Sequence, residues 1–482
     1  MESSKSPPTS LEVLTLNCWG LKYIAKFRNA RLREIGRRLS TRSPVPQIVG
    51  LQECWTQEDY RSIRDQTRHI LPYGKFYHSG IFGGGLAILS KWPIQESSMV
   101  RYPLNGRPTA FFRGDWFVGK GVACAKIRIG PSLKDVVEVF CTHLHAPYEK
   151  EPHDSYMCHR TAQAWEIAKL MRGATERGHL VIALGDFNMV PSSLAHRIVT
   201  THGMAKDVWR ALHPDSSLGA AVDKVEAARD RPKPSIEYNL IENGTTCDSA
   251  LNTWRWEKSK REQLNKGIDV TVEHSSVDMH AKRLDYIFVG LPQLGFGPSD
   301  DTNSSEWSIS EARVGMTERH PDLRCSLSDH FSVETTLLRV NSGTEEELDS
   351  TPPTKEANFA AHGKQAEHLP VATYDEILSV ILNYSVRERR QRQLRLSHML
   401  VQTLISIGCF VAVWWSPHNF IAFILVLLST LGFGIGIVDG LIGGLFVGSE
   451  LRALKEFKWD IKNAKMLASG LHERENIDSE DS

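Results

Sequence analysis

The chain has 482 residues, with 57 Lys+Arg against 57 Asp+Glu, so net charge gives no reason to expect a polyanion such as DNA as partner. That length holds one large domain with extras, or two or three modules. The 8 cysteines are scattered with no CxxC pair, which argues against a disulfide framework or structural zinc and for reduced thiols in a cytosolic setting.

The first ten residues have no apolar h-region and read as a short disordered lead, not a secretory signal. Residues 11–340 read as one α/β-type domain. Runs rich in Val, Ile and Leu, bounded by Gly, Pro or charge, predict strands over 11–17, 46–53, 85–90, 122–129, 137–144, 179–187, 284–290 and 331–340. Helices are expected over 29–40, 57–71 and 155–175, the last with Ala162, Trp165, Ala168, Leu170 and Met171 on an apolar face. Residues 215–280 are polar, broken by Pro and Gly, and read as an insertion over the domain surface.

From 341 to 370 the composition shifts to Thr, Glu, Pro and Ala, which is linker-like. An amphipathic and basic juxtamembrane segment, 371–395, ends in RERRQRQLR. Then comes a stretch, 396–448, apolar enough for two membrane helices of about 20 residues or more, broken at SPHN (416–419). Trp414 and Trp415 suit an interface, and basic residues outside both ends put the large domain and the 449–482 tail in the cytosol. A core hairpin of a soluble protein is the alternative. Asp439 is costly inside a span unless it reaches the interface.

Several strand candidates end in groups that carry chemistry. Asn17 closes LEVLTLN and Glu53 closes PQIVGLQE; an amide oxygen and a carboxylate suit a hard divalent ion such as Mg²⁺. Taken singly, Asn17 as a turn cap and Glu53 as a surface charge are the commoner readings. In GDFN (185–188), Gly185 permits a tight turn, and Asp186 and Asn188 point the same way if the segment is extended; a plain β-turn is the competing reading. THLHA places His143 and His145 on one strand face, where either can donate to a phosphate. SDH (328–330) sets His330 beside Asp329; a histidine there can take a proton from water, with Asp329, Asp186 or another acid holding the ring.

TLNCWG, LQECW, THLHA, GDFN, LDYIF and SDHFS together resemble the endonuclease/exonuclease/phosphatase superfamily. NCWG, HLHAPY, HRTAQAWEIAKL, SGIFGGGLAILSKWPI, GDWFVGKG and the apolar hairpin resemble its neutral sphingomyelinase and fungal inositol phosphosphingolipid phospholipase C branch. The resemblance covers residues 11–340 and, more loosely, the hairpin. It implies a four-layer α/β sandwich of two packed sheets flanked by helices, plus a two-helix transmembrane hairpin. It also implies Mg²⁺-dependent hydrolysis. Glu53 would be the main metal ligand with Asn17 in support, and His143 would stabilise the transition state. Asp186 and Asn188 would position water and phosphate. His330, with Asp329 in its motif, would be the base, and Asp285 its orienter.

GDWFVGKG is called P-loop-like in that branch, yet Gly121 stands where a Walker A loop needs Ser or Thr. Lys120 would contact an anionic head group and Asp115 would pair with it, unless the segment is a hairpin turn with a solvated lysine. Arg389 and Arg390, in the basic run, would bind anionic phospholipids, which activate enzymes of this group.

The expected function is thus cleavage of inositol phosphosphingolipids, or sphingomyelin, to ceramide and a phosphorylated head group at the endoplasmic reticulum or mitochondrial outer membrane. A nuclease, an inositol polyphosphate phosphatase and a silent membrane scaffold are the alternatives. Neutral charge and the spans disfavour the first. Met189-Val190-Pro191, where an Arg is expected, disfavours the second. The full set of chemical positions disfavours the third.

Overall fold

The eight apolar runs all become strands, and four more join them among the described residues, giving β1 (Ser10–Asn17), β2 (Ile48–Gln52), β3 (Tyr73–Tyr77), β4 (Leu86–Ser90), β5 (Ile94–Arg101), β6 (Gly121–Arg128), β7 (Val136–His143), β8 (Leu180–Asp186), β9 (Lys206–Asp207), β10 (Asp285–Gly290), β11 (Ser305–Gly315) and β12 (Ser332–Asn341). This computed structural model describes residues 6–132, 135–149, 153–268, 270–291, 305–341 and 368–470. Residues 1–5 of the lead expected over 1–10, residues 342–367 of the linker expected over 341–370 and residues 471–482 of the tail expected over 449–482 lie outside the described residues.

The strands form two six-stranded mixed sheets, ordered β11-β12-β1-β2-β4-β3 and β5-β6-β7-β8-β10-β9. Each sheet has one parallel pair at its centre, β1–β2 and β7–β8, and its other pairs are antiparallel. A parallel pair needs a crossover. The helices Arg28–Ser40 and Met157–Glu176 supply it.

The sheets pack face to face on a core that includes Leu11, Val13, Ile48 and Ile88 from one and Val137, Val139, Ile182 and Leu184 from the other. Fully burying each such side chain contributes about 1.5–3 kcal/mol. At Gly50 the two sheets come close: a Cβ there would stand 1.8 Å from Leu184 Cδ1. The outer face of the first sheet, through Leu14, Leu16, Val49 and Leu51, packs on Leu32, Ile35 and Leu39 and on Ile63 of the Gln57–Thr67 helix.

Residues 1–102, 118–148 and 163–367 form one compact unit, containing both sheets. Residues 103–117 and 149–162, inside the expected 11–340 domain, group instead with 368–482 in a second. The insertion holds short helices, Lys224–Ala227, Ile236–Ile241 and Lys258–Asn265, tied down by polar bonds. Asp278, for example, accepts from Ser249 Oγ at 2.9 Å and Ala250 N at 3.0 Å.

In the second unit, the juxtamembrane segment and first span form one continuous 43-residue helix, Val371–Val413. Its partner runs Asn419–Leu441 and continues, after a π-helical turn at Ile442–Phe446, as Val447–Ala468. Both are long and apolar enough to cross a membrane. Their large side chains face outward, with Leu404 61% and Phe423 67% exposed. Between them, Ser406 Oγ donates to Ser429 O at 3.1 Å, and Gly436 and Gly440 let Gln402 and Met399 approach. Asp439 pairs with Arg395 and with His398 Nδ1 at 2.7 Å, which accounts for an acid in this stretch. At the hairpin's base, Glu450 Oε1 accepts from Tyr384 Oη at 2.7 Å and lies 3.0 Å from His159 Nε2.

Candidate active site

The C-terminal ends of the two parallel pairs meet. Asn17 closes β1 opposite Gln52, and His143 closes β7 opposite Asp186. From its place at the end of β1, Asn17 Nδ2 donates to Glu53 Oε1 at 3.2 Å and Asp186 Oδ2 at 3.0 Å, bridging the two sheets. Its Oδ1 accepts from Trp19 N at 3.0 Å.

Glu53 stands one residue past β2 in the left-handed region, φ 52°. A non-glycine held there stores strain, as functional positions often do. Its backbone is gripped: Gly20 N donates to Glu53 O at 3.0 Å. Burial, and then the charge of Asp329, raises its carboxyl above the usual range. Glu53 Oε2 is buried with no hydrogen-bond partner. A deeply buried carboxylate oxygen left open in this way suits a hard cation.

His143 Nε2 lies 3.5 Å from Asp186 Oδ2. Burial, then the charges of Lys120 and His330, push its imidazole well below the ordinary value, so it is neutral. Lys120 is buried, and its ammonium donates to the carbonyls of His143 and Leu144, each at 3.2 Å. The solvated-lysine alternative is thereby excluded, and the ammonium is held at the β7 end. His145 is buried beyond the end of β7, so it does not share a strand face with His143.

GDFN also departs from the extended segment expected. Gly185 is inside β8 at φ 144°, where a Cβ would stand 1.9 Å from Thr142 O, so close approach to β7 requires the glycine. Asn188 is left-handed, φ 46°, and turns back so that its N donates to Asp186 Oδ1 at 3.0 Å. Asn188 Nδ2 donates to Leu144 O at 3.1 Å. A turn, not alternation, brings the pair together. Burial raises Asp186 to about 7 against the opposing charge of His330.

His330 Nδ1 lies 2.7 Å from Asp285 Oδ2, and its Nε2 faces Asp186 Oδ2 at 3.9 Å. Burial alone would lower its pKa; the charge of Asp285, with Cys247 and Asp186, outweighs this and holds it well above the ordinary value. Ser328 Oγ donates to Asn17 O at 2.6 Å, fastening the SDH loop to the end of β1. The Asp329 charge acts on Glu53, while the acid on His330 is Asp285. Asp186, Asp285 and His330 also present ligand atoms within 4.8 Å of one another, a candidate divalent-metal cluster.

Asp285 sits at the start of β10 and belongs to this cleft. Asp115 belongs to the second unit, where it starts the Asp115–Val118 helix and is buried beside Tyr156. Arg389 and Arg390 are exposed on the Val371–Val413 helix.

Two site residues carry little sequence signal. Thr246, in the insertion, donates from Oγ1 to Asp285 Oδ2 at 2.6 Å. Nothing in its polar surroundings marks it. Arg31 is fully buried; it donates to the carbonyls of Lys26 at 2.9 Å, Trp19 at 2.9 Å, Leu327 at 2.6 Å and Cys18 at 3.3 Å. Its guanidinium also stacks on Trp19 and Trp254, with 4.7 Å and 5.6 Å to the ring centroids. It falls in helical register with Leu32, Ile35 and Leu39, so an arginine on an apolar stripe was the available signal.

A family model described as the Endonuclease/Exonuclease/phosphatase family matches residues 14–330. The chain belongs to that family. It is 39% identical over 468 residues, 97% of this chain and 96% of the relative, to a Schizosaccharomyces pombe protein named inositol phosphosphingolipids phospholipase C. It is 33% identical over 490 residues, 96% of this chain and 92% of the relative, to the Saccharomyces cerevisiae protein of the same name. It is 37% identical over 184 residues to human sphingomyelin phosphodiesterase 2, covering 38% of this chain and 42% of that one. Within the family it stands in the branch of fungal inositol phosphosphingolipid phospholipases C and neutral sphingomyelinases. The family and the cleft's metal-capable cluster make it a phosphoric diester hydrolase.

Proposed function

We propose that the chain hydrolyses inositol phosphosphingolipids in the manner of a phospholipase C, releasing ceramide and an inositol-phosphate head group. The observation that carries this is its 39% identity, across 97% of its length, to the fission-yeast relative of that name. The match covers 97% of this chain and so extends into its C-terminal helices, which supports a membrane anchor as part of the reading.

In this reading His330 takes the proton of the attacking water. Asp285 orients the ring through Nδ1 and stabilises the imidazolium that forms. Water oxygen bonds to phosphorus, the bond from phosphorus to the ceramide oxygen breaks, and that oxygen gains a proton from solvent. Neutral His143 and the held amide of Asn188 meet charge on the phosphoryl oxygens. Glu53, with its open Oε2, would hold a magnesium ion, with Asp329 and Asn17 beside it. Such an ion supplies Lewis-acid charge to the phosphate. Asp186, Asp285 and His330 fit a metal less well, because the 2.7 Å bond between His330 and Asp285 already engages both.

The unit with both sheets faces the cytosol, tethered at the endoplasmic reticulum or mitochondrial outer membrane. Basic residues outside both spans support that orientation. Exposed Arg389 and Arg390 attract anionic phospholipids as activators. Sphingomyelin is the second reading, favoured by the human relative, but that match spans only 38% of this chain.

Purified full-length protein is to be given inositol phosphorylceramide or sphingomyelin in mixed micelles, with magnesium or EDTA. Magnesium-dependent ceramide release, faster from the inositol lipid and lost in His330→Ala, is expected. Faster release from sphingomyelin would transfer the assignment to that lipid. No ceramide from either would overturn it.

A further inference from the structure

Two loops of the first unit carry large apolar side chains into solvent. In the loop after β1, Tyr23 is 91% and Ile24 70% exposed, with Phe27 also exposed; in the loop before β4, Ile81 is 75% and Phe82 60% exposed. Single exposed apolar residues are ordinary on a protein surface. These five are set apart by where their loops are rooted. Gly20, at the base of the first loop, bonds the Glu53 carbonyl. Gly85, at the base of the second, bonds Cys54 N through its carbonyl at 3.0 Å, and a Cβ on it would stand 3.3 Å from Glu53 Cα. One strained residue of the catalytic cleft therefore has an apolar loop rooted on each side of it.

The first loop is stiff at its base and apolar at its tip. Arg31 holds the carbonyls of Cys18, Trp19 and Lys26, while Tyr23 and Ile24 project beyond. Exposed Lys22 and Lys26 flank that tip, and residues 18–27 contain no acid. The second loop, SGIFGGG, has no charge at all. Apolar tips with flanking lysines match an acyl layer below anionic head groups. A water-filled groove for a soluble substrate gains nothing from them. The same chain carries two helices long and apolar enough to cross a membrane.

We propose that the 21–27 and 79–85 loops insert their tips into the lipid surface and so seat the mouth of the cleft on the membrane. The inference deepens the reading of a lipid substrate and rests on it, but insertion can be measured without turnover.

Ile24→Cys and Phe82→Cys in the full chain are each labelled with an environment-sensitive fluorophore and reconstituted in phosphatidylcholine–phosphatidylserine vesicles, with plain or brominated acyl chains. A label at Lys224→Cys, on an exposed helix of the insertion, is the water-facing control, and unsubstituted chain labelled identically sets the background. Emission from positions 24 and 82 is expected to fall by about half or more with brominated lipid, as for groups about 5–10 Å into the interface, with no change at 224. Emission at 24 and 82 as insensitive to bromine as at 224 overturns the proposal. So does quenching that tracks protein concentration, since the loops would then meet another chain. In parallel, the Ile24→Ser/Phe82→Ser variant should lose about tenfold activity on vesicles and less than about twofold on detergent-dispersed substrate. Equal loss on both overturns it. If no sphingolipid is cleaved yet bromine quenches, docking stands and the assigned reaction falls.

Discussion

His330 Nδ1 and Asp285 Oδ2 are 2.7 Å apart, and the same carboxylate oxygen accepts the Thr246 hydroxyl at 2.6 Å. A residue of the insertion thereby sets the acid that sets the imidazole. Asp285→Asn keeps the shape but removes the charge that stabilises His330 as a cation. It should lower kcat about 100-fold or more with little change in KM, in purified protein of unchanged circular dichroism. A KM effect with kcat intact would deny Asp285 its orienting role.

Thr246→Val removes the hydroxyl and keeps the volume. Asp285 then loses one fixed partner and His330 a fixed orientation. The expected outcome is a loss of about 10-fold in kcat, smaller than that of Asp285→Asn and not additive with it. A double variant showing the product of the two losses would mean that Thr246 acts elsewhere.

Arg31 joins the loop after Asn17 to the loop carrying His330 by bonding carbonyls of both. Arg31→Met should destabilise the protein by about 3–5 kcal/mol, because buried carbonyls lose a charged donor. Hydrogen exchange should quicken first at 18–27 and 327–330, while the strands stay protected. Uniform loss of protection would reduce Arg31 to a general packing residue.

Asp207 gives the fold a pH dependence remote from the cleft. Burial alone would raise its pKa, but Arg283, at 2.7 Å and 2.8 Å from its two oxygens, and then His196 hold it below the usual carboxylate range. The folded chain binds this proton more weakly than the unfolded chain does. Its stabilisation is therefore complete above the unfolded value of about 3.9 and is lost as pH falls through that value toward the lower folded one. Asp207→Asn should cost about 3–5 kcal/mol at neutral pH and show a shallower decline in Tm below pH 4. An unchanged acid slope would point to other carboxylates.

The legible strands are the inner ones. The four that hydropathy did not mark, β3, β5, β9 and β11, are the four edges of the two sheets. An edge is half solvated, so IQESSMVR and SEWSISEARVG carry polar residues that a search for apolar runs passes over. The strand ends bearing Asn17, His143 and Asp186 were legible because each closes a buried strand. Turn geometry was not: Asn188 reaches the site through a left-handed turn that local alternation mispredicts. Thr246 was hidden because its contact with Asp285 is long-range, and polar loops have no period to read. The juxtamembrane segment's change of composition marks it off from the first span in sequence, while helical hydrogen bonding continues through both.

On the proposed reading, the ends of both parallel strand pairs frame one divalent-ion and phosphate site with Glu53 as its anchor. Anomalous diffraction from full-length crystals soaked in manganese, as a magnesium substitute, tests it most directly. One peak is expected about 2.0–2.2 Å from Glu53 Oε2, with the His330–Asp285 bond kept. A peak bonded to His330 and Asp285 instead, with Glu53 untouched, would contradict it.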